Sequence, residues 1–160
     1  LTKVTLYTDG AAKGNPGPGG YGVVLISGNY RKEISEGFKL TTNNRMELLG
    51  VIAGLEALKK ECEVTVYSDS KYVVDAVEKK WVFRWEKTGF GKKKNPDLWK
   101  RFLIIYRKHK VNFIWIKGHN NIPENEVCDK LAVNASQSII LKEDTGYFPQ
   151  NEENETNLFS

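Results

Sequence analysis

Two stretches of this 160-residue sequence nearly repeat each other: VTLYTDG at 4–10 and VTVYSDS at 64–70. Each alternates in the manner of a strand and ends on an aspartate followed by a small residue. As central strands of one sheet they would release Asp9 and Asp69 at equivalent places, on the faces that carry Tyr7 and Tyr67. Ligand sites in open α/β sheets lie beyond the carboxyl ends of parallel strands. The near-repeat therefore predicts two neighbouring carboxylates.

The rest of the chain supplies the sheet and its cover. Residues 2–9, 21–27 and 31–40 read as an antiparallel meander, and 41–60 as a helix with apolar residues at Met46, Leu49, Ile52 and Leu55. A strand follows at 63–69, then a helix over 70–80 that runs on into a basic aromatic stretch. A helix at 97–109, a strand at 111–119 and a helix at 123–136 complete the order. Strands joined through helices are parallel, so the fold class is α/β, a five-stranded mixed sheet flanked by helices. The length suits one domain, over 1–141, followed by an acidic tail at 142–160 that is docked in part or disordered.

The stretch YTDGAAKGNPGPGGYG at 7–22 fits the pattern G-x-G-x-x-G within Gly17–Gly22. A phosphate-cradling version must follow a strand and open a helix. Here YGVVLISG follows, with strand character, so the dinucleotide reading fails on context. The expectation instead is that the glycines let the backbone turn tightly and keep it clear for a large ligand beside Asp9.

Formal net charge is +4, unevenly spread. Lys79 to Lys94 holds seven basic residues against Glu86 alone, whereas 142–160 holds five acids and one lysine. A basic segment on a balanced body points to a localised contact with a polyanion. No apolar run approaches a membrane span and the first residues carry no signal-peptide pattern, so the expected setting is cytoplasmic, with no membrane partner. Cys62 and Cys128 fit no metal-ligand spacing and read as buried thiols.

Four acids stand out, each with an ordinary alternative. Asp9 could be a turn former, Asp69 a helix cap, and Glu47 the partner, at the third helical position, of a capping box opened by Asn44. Asp129 could be a solvated helix residue beside Val127, Leu131 and Ala135. Taken together they form an arrangement: two strand-end acids and two acids from first helical turns packed on one sheet. Clustered carboxylates raise one another's pKa unless hard cations neutralise them. With no His or Cys cluster, all-oxygen coordination points to Mg²⁺ or Mn²⁺. Two such ions about 3.5–4 Å apart can activate water and stabilise the leaving oxygen of a phosphodiester.

TDGAAKGNPGPGGYG, TTNNRMEL, SDSKYV, DLW, IKGH, PENEVCDKLA and EDTGY together resemble the bacterial type 1 ribonuclease H family, in its order and near its spacings, over about residues 2–147. The resemblance implies a ribonuclease H-like fold and two-metal hydrolysis of the RNA strand of RNA·DNA hybrids, giving 5′-phosphate and 3′-hydroxyl ends. It places the family's metal-binding acids on Asp9, Glu47, Asp69 and Asp129, and a mobile-loop histidine that assists proton movement and product release on His119. His109 matches no motif and is expected at the surface.

The same resemblance implies groove contacts at Asn15, Asn44 and Lys71, the last replacing a frequent glutamine, and a DNA-phosphate pocket at Thr42 and Asn43. Helix capping is the alternative for Asn43 and Asn44. The segment at about 79–95 matches the family's basic protrusion, with Lys80, Arg84 and Lys87 for phosphates. Its Trp81, Trp85 and Phe90 suit either sugars or a small satellite core. A hybrid duplex is the implied partner and a monomer the implied state.

Overall fold

The computed structural model describes residues 1–118 and 121–149. Strands β1 (Thr2–Ala12), β2 (Gly17–Ser27) and β3 (Tyr30–Thr41) lead into helix α1 (Asn43–Glu56). Strand β4 (Cys62–Ser68) is followed by helices α2 (Lys71–Glu78), α3 (Trp81–Lys87) and α4 (Pro96–Tyr106), then β5 (Lys110–Trp115) and α5 (Pro123–Ser136). The sheet order is β3-β2-β1-β4-β5. β1 pairs antiparallel with β2 and β2 with β3, while β1–β4 and β4–β5 are parallel. The mixed sheet expected from the sequence is thus present, and the near-repeats are its adjacent central strands.

Successive side chains of a strand face opposite sides, and this divides the cover. Leu6, Thr8 and Val23 face α1, whose Gly50 and Gly54 lie so close that a Cβ would stand 2.3 Å from Thr8 Oγ1 and 2.5 Å from Leu6 Cδ1. Helix propensity is sacrificed there for close packing. The main core lies on this side, around Leu48, Val51, Ile52, Trp99 and Phe102, all fully buried. On the other side α5 presses onto β2. A Cβ at Gly22 would stand 2.3 Å from the Cys128 carbonyl oxygen, and one at Gly20 2.6 Å from that of Ala132.

That geometry corrects the reading of the glycine stretch. β2 begins at Gly17, so the pattern lies inside a strand, and Gly20 and Gly22 clear space for a helix rather than a ligand. The helix expected over 70–80 is α2, but it does not run on: Lys80 takes a left-handed φ of 64°, and a separate helix, α3, begins at Trp81. Beyond the turn, Val82 and Phe90 are buried. His109, expected at the surface, is buried; its Nδ1 accepts the Cys62 N–H at 3.1 Å. Both cysteines are free and buried.

The segment after α5 returns to the sheet edge. Lys142 bridges to β3, donating its N–H to the Gly37 oxygen and accepting from the Lys39 N–H, each at 2.9 Å. Asp144 accepts from Arg45 Nε at 2.7 Å and from Thr41 Oγ1 at 2.7 Å. The docking is polar: Ile139 and Ile140 remain exposed. Residues 150–160 of the acidic tail lie outside the described residues.

Candidate active site

The parallel β1–β4 ladder ends on the rung Tyr7–Tyr67, whose rings stack with centroids 5.0 Å apart. Asp9 and Asp69 each follow two residues later, one on β1 and one just past β4. The matching strand ends thus deliver two aspartates to one place, as the near-repeat predicted. Glu47 comes from α1. The capping-box reading of Glu47 is overturned: Thr42 is the cap, its Oγ1 accepting from the Arg45 N–H at 3.2 Å. Glu47 therefore sits two residues further in, as the fifth helical residue, and is buried.

Carboxylate oxygens of Asp9, Glu47 and Asp69 all lie within 4.8 Å of one another. Gly10 makes this approach possible, since a Cβ there would stand 2.4 Å from the Met46 carbonyl carbon. Its N–H is shared, donating to Asp9 Oδ1 at 2.9 Å and to Glu47 Oε1. Asp129 lies on an exposed turn of α5, in the helix's second turn rather than its first. It lines, with Thr8, Asp9, Asp69 and Gly118, a cleft of about 320 Å³. It stands outside the tight trio, across the cleft.

Burial pushes the Asp9 carboxyl up to about 7, and the negative charges of Asp69 and Asp129 add to the rise. Glu47 is raised well above the usual carboxylate range, first by burial and then by Asp9 and Asp69. These acids are held close in spite of their repulsion, as a cation-binding cluster requires.

Asn43 and Asn15 knit the first hairpin to α1. Asn15 Oδ1 accepts the Asn43 N–H at 2.9 Å, and Asn43 Oδ1 accepts the Ala12 N–H at 2.6 Å. Each amide spends its oxygen on the fold, and among the described residues neither NH₂ group has a protein partner. Asn44 follows on the exposed first turn of α1.

In the basic stretch, Phe90 joins the core and Trp85 packs edge-on against Trp99 at 5.9 Å. Trp81 is exposed, with Lys79 Nζ 5.1 Å from its ring. Phe90 and Trp85 thus pack with the main core rather than forming a satellite one, and Trp81 faces solvent. Lys80, Arg84 and Lys87 are exposed, and the segment's one acid, Glu86, is taken up by Arg107. Lys92–Lys94 lie elsewhere, beside Tyr147 and Gly146 of the returning segment.

His119 lies outside the described residues. Sequence reasoning missed Asn125, Glu126 and Lys130, which line the same cleft. Their spacing from Asp129 along α5 was the available signal. It also missed Arg45, whose guanidinium joins Asp97 and Asp144 and so links three of the motifs that carried the resemblance.

A five-stranded mixed sheet with acids at the ends of its adjacent parallel strands defines a ribonuclease H-like α/β protein. The family model described as RNase H matches residues 2–137. The chain is 54% identical over 150 residues to the ribonuclease H of Syntrophus aciditrophicus (strain SB), covering 91% of this chain and 87% of that one. It is 54% identical over 151 residues to the ribonuclease H of Trichodesmium erythraeum (strain IMS101), covering 91% and 96%. Among solved structures, LC9-RNase H1, a type 1 RNase H with the type 2 active-site motif, superposes with a TM-score of 0.78 at 30% identity, covering 86% and 73%. LC11-RNase H1 in complex with RNA/DNA hybrid gives 0.64 at 29% identity, covering 84% and 96%. The chain belongs to the ribonuclease H family and is an enzyme of that type. No helix among the described residues is long and apolar enough to cross a membrane.

Proposed function

We propose that this enzyme cuts the RNA strand of RNA·DNA hybrids at the cleft lined by Asp9, Asp69 and Asp129, with Glu47 beside the first two, leaving 5′-phosphate and 3′-hydroxyl ends. The carrying observation is the trio of carboxylates within 4.8 Å, two of them raised above the ordinary range. The donor set is all oxygen, which fits Mg²⁺, with Mn²⁺ as a substitute. Bound there as a pair, such ions supply Lewis-acid chemistry, acidifying a water and stabilising the leaving oxygen of the phosphodiester.

The chain's own residues do the rest. Gly10 N–H holds Asp9 and Glu47 in one geometry before any ligand arrives. Asp129, opposite, closes the cleft from α5. His119 takes the proton-handling role that the resemblance gives it.

Asn15 and Asn44 read the groove and its 2′-hydroxyls, Lys71 contacts the duplex along that groove, and Thr42 with Asn43 receives a phosphate of the DNA strand. The free amide NH₂ groups of Asn15 and Asn43 are suitable donors. Lys80, Arg84 and Lys87, with exposed Trp81, extend the duplex contact beyond the cleft, while Trp85 supports them from the core side. All four acids come from one chain, so a monomer suffices.

The test is incubation with a strand-labelled RNA·DNA hybrid in Mg²⁺ and in EDTA, beside double-stranded DNA and double-stranded RNA. Metal-dependent cutting of the hybrid's RNA strand, lost in Asp9→Asn, is expected. Cutting of DNA, or hybrid binding without cleavage in either Mg²⁺ or Mn²⁺, would sink the assignment.

A further inference from the structure

Beside Asp69, which lines the cleft, stands a large exposed indole. Trp115 ends β5 in register with Ser68, the last residue of β4, and is 43% exposed. Its Nε1 donates to the Asp69 carbonyl oxygen at 3.2 Å. On its ring face lies Lys71 Nζ, 4.8 Å from the centroid. Lys71 is the first residue of α2, where the helix dipole favours an acid over a cation. Lys79, at the far end of the same helix, pairs with Asp75. Lys71 has no carboxylate partner among the described residues.

A charge placed against its helix dipole, with no carboxylate partner among the described residues, is a local conflict of the kind that functional sites retain. The choice of partner matters chemically. A carboxylate would cancel the ammonium's charge, whereas an aromatic face orients it and leaves the charge and its N–H donors intact. An ammonium donates without accepting, so it suits a phosphate oxygen better than a groove edge that offers both.

We infer that Trp115 is a positioning residue of the hydrolytic site with two tasks. Its N–H holds the Asp69 backbone at the end of β4, and its ring holds the Lys71 ammonium at the cleft mouth. There the ammonium pairs with a phosphate of the RNA strand beside the one that is cut. This inference rests on the hybrid-cleaving reading of the same cleft.

The experiment measures hybrid binding by fluorescence anisotropy across a salt series, and steady-state cleavage, for Lys71→Gln, Trp115→Phe and Trp115→Leu. Lys71→Gln should raise KM several-fold more than it alters kcat and lower the log–log salt slope by about one. Trp115→Phe, which keeps a ring but loses the N–H, should keep that slope and lower kcat. Trp115→Leu should lose both, and adding Lys71→Gln to it should change the slope no further.

An unchanged slope in Lys71→Gln, or an intact slope in Trp115→Leu, overturns the inference. Should Trp115→Leu fail to fold, Lys71→Gln and Trp115→Phe decide the matter by themselves. Failure of the unaltered protein to cut the hybrid sinks the nuclease reading, while the binding slopes still judge the Lys71 contact.

Discussion

Asp9 shows how much chemistry one residue's surroundings can impose. An isolated aspartate titrates near 3.9, yet burial and the neighbouring acids push this one up to about 7. A carboxyl whose folded-state pKa is raised binds more protons folded than unfolded across that interval. Its contribution is then present below about pH 4 and is lost as pH rises towards 7. The metal-free protein should therefore lose stability between those values, with Glu47 adding in the same direction. Urea unfolding at a series of pH values in EDTA checks this; Asp9→Asn should flatten the trend, and Mg²⁺ should restore stability at neutral pH. A flat profile for the unaltered protein would contradict the strained cluster. The residue-scale reading of the sequence identified Asp9 and Asp69 because strand periodicity and the near-repeat located both. It also named Glu47, but left a capping box open as the alternative, which the cap at Thr42 removes.

Among the elements, α5 owes its place to glycine. Nothing larger than a hydrogen fits between β2 and the α5 backbone at Gly22, where a Cβ would come within 2.3 Å of a carbonyl oxygen. Backbone cannot swing aside as a long side chain can, so Gly22→Ala must shift the helix that carries Asp129. We expect a loss of about 1–3 kcal/mol, the usual range for overpacking, seen in urea unfolding, together with a fall in kcat. A variant as stable and active as the parent would refute that account of α5. Helix periodicity found α5 at 123–136, and it could not find the break at Lys80, where the pattern remains amphipathic. Beyond that break Val82 and Phe90 are buried, in contacts between segments that a local pattern does not contain.

At the level of the whole molecule, one guanidinium ties together segments that are remote in sequence. Arg45 Nη1 and Nη2 donate to Asp97 at 2.9 and 2.8 Å, while Nε and Nη2 donate to Asp144 at 2.7 and 2.9 Å. The two acids are not equivalent: the Asp144 side chain is 7% exposed and that of Asp97 is 40%. Solvent screens the Asp97 pair, whereas removing the Asp144 charge leaves a buried cation half-matched. Asp144→Asn should therefore cost about 3–5 kcal/mol in urea unfolding, and Asp97→Asn no more than about 1 kcal/mol or so. Equal losses would show that burial does not separate them.

The sequence by itself determined most of the elements, the sheet's parallel and antiparallel parts, and which acids are the candidates. All of these depend on local periodicity, on the chain's chirality and on residue chemistry. Tertiary structure decided the rest: that the glycines admit helices, that Glu47 faces inward, that His109 is buried and that Arg45 gathers Asp97 and Asp144. Those outcomes depend on which surfaces meet across long stretches of chain, and the free energy of such a meeting belongs to both partners at once.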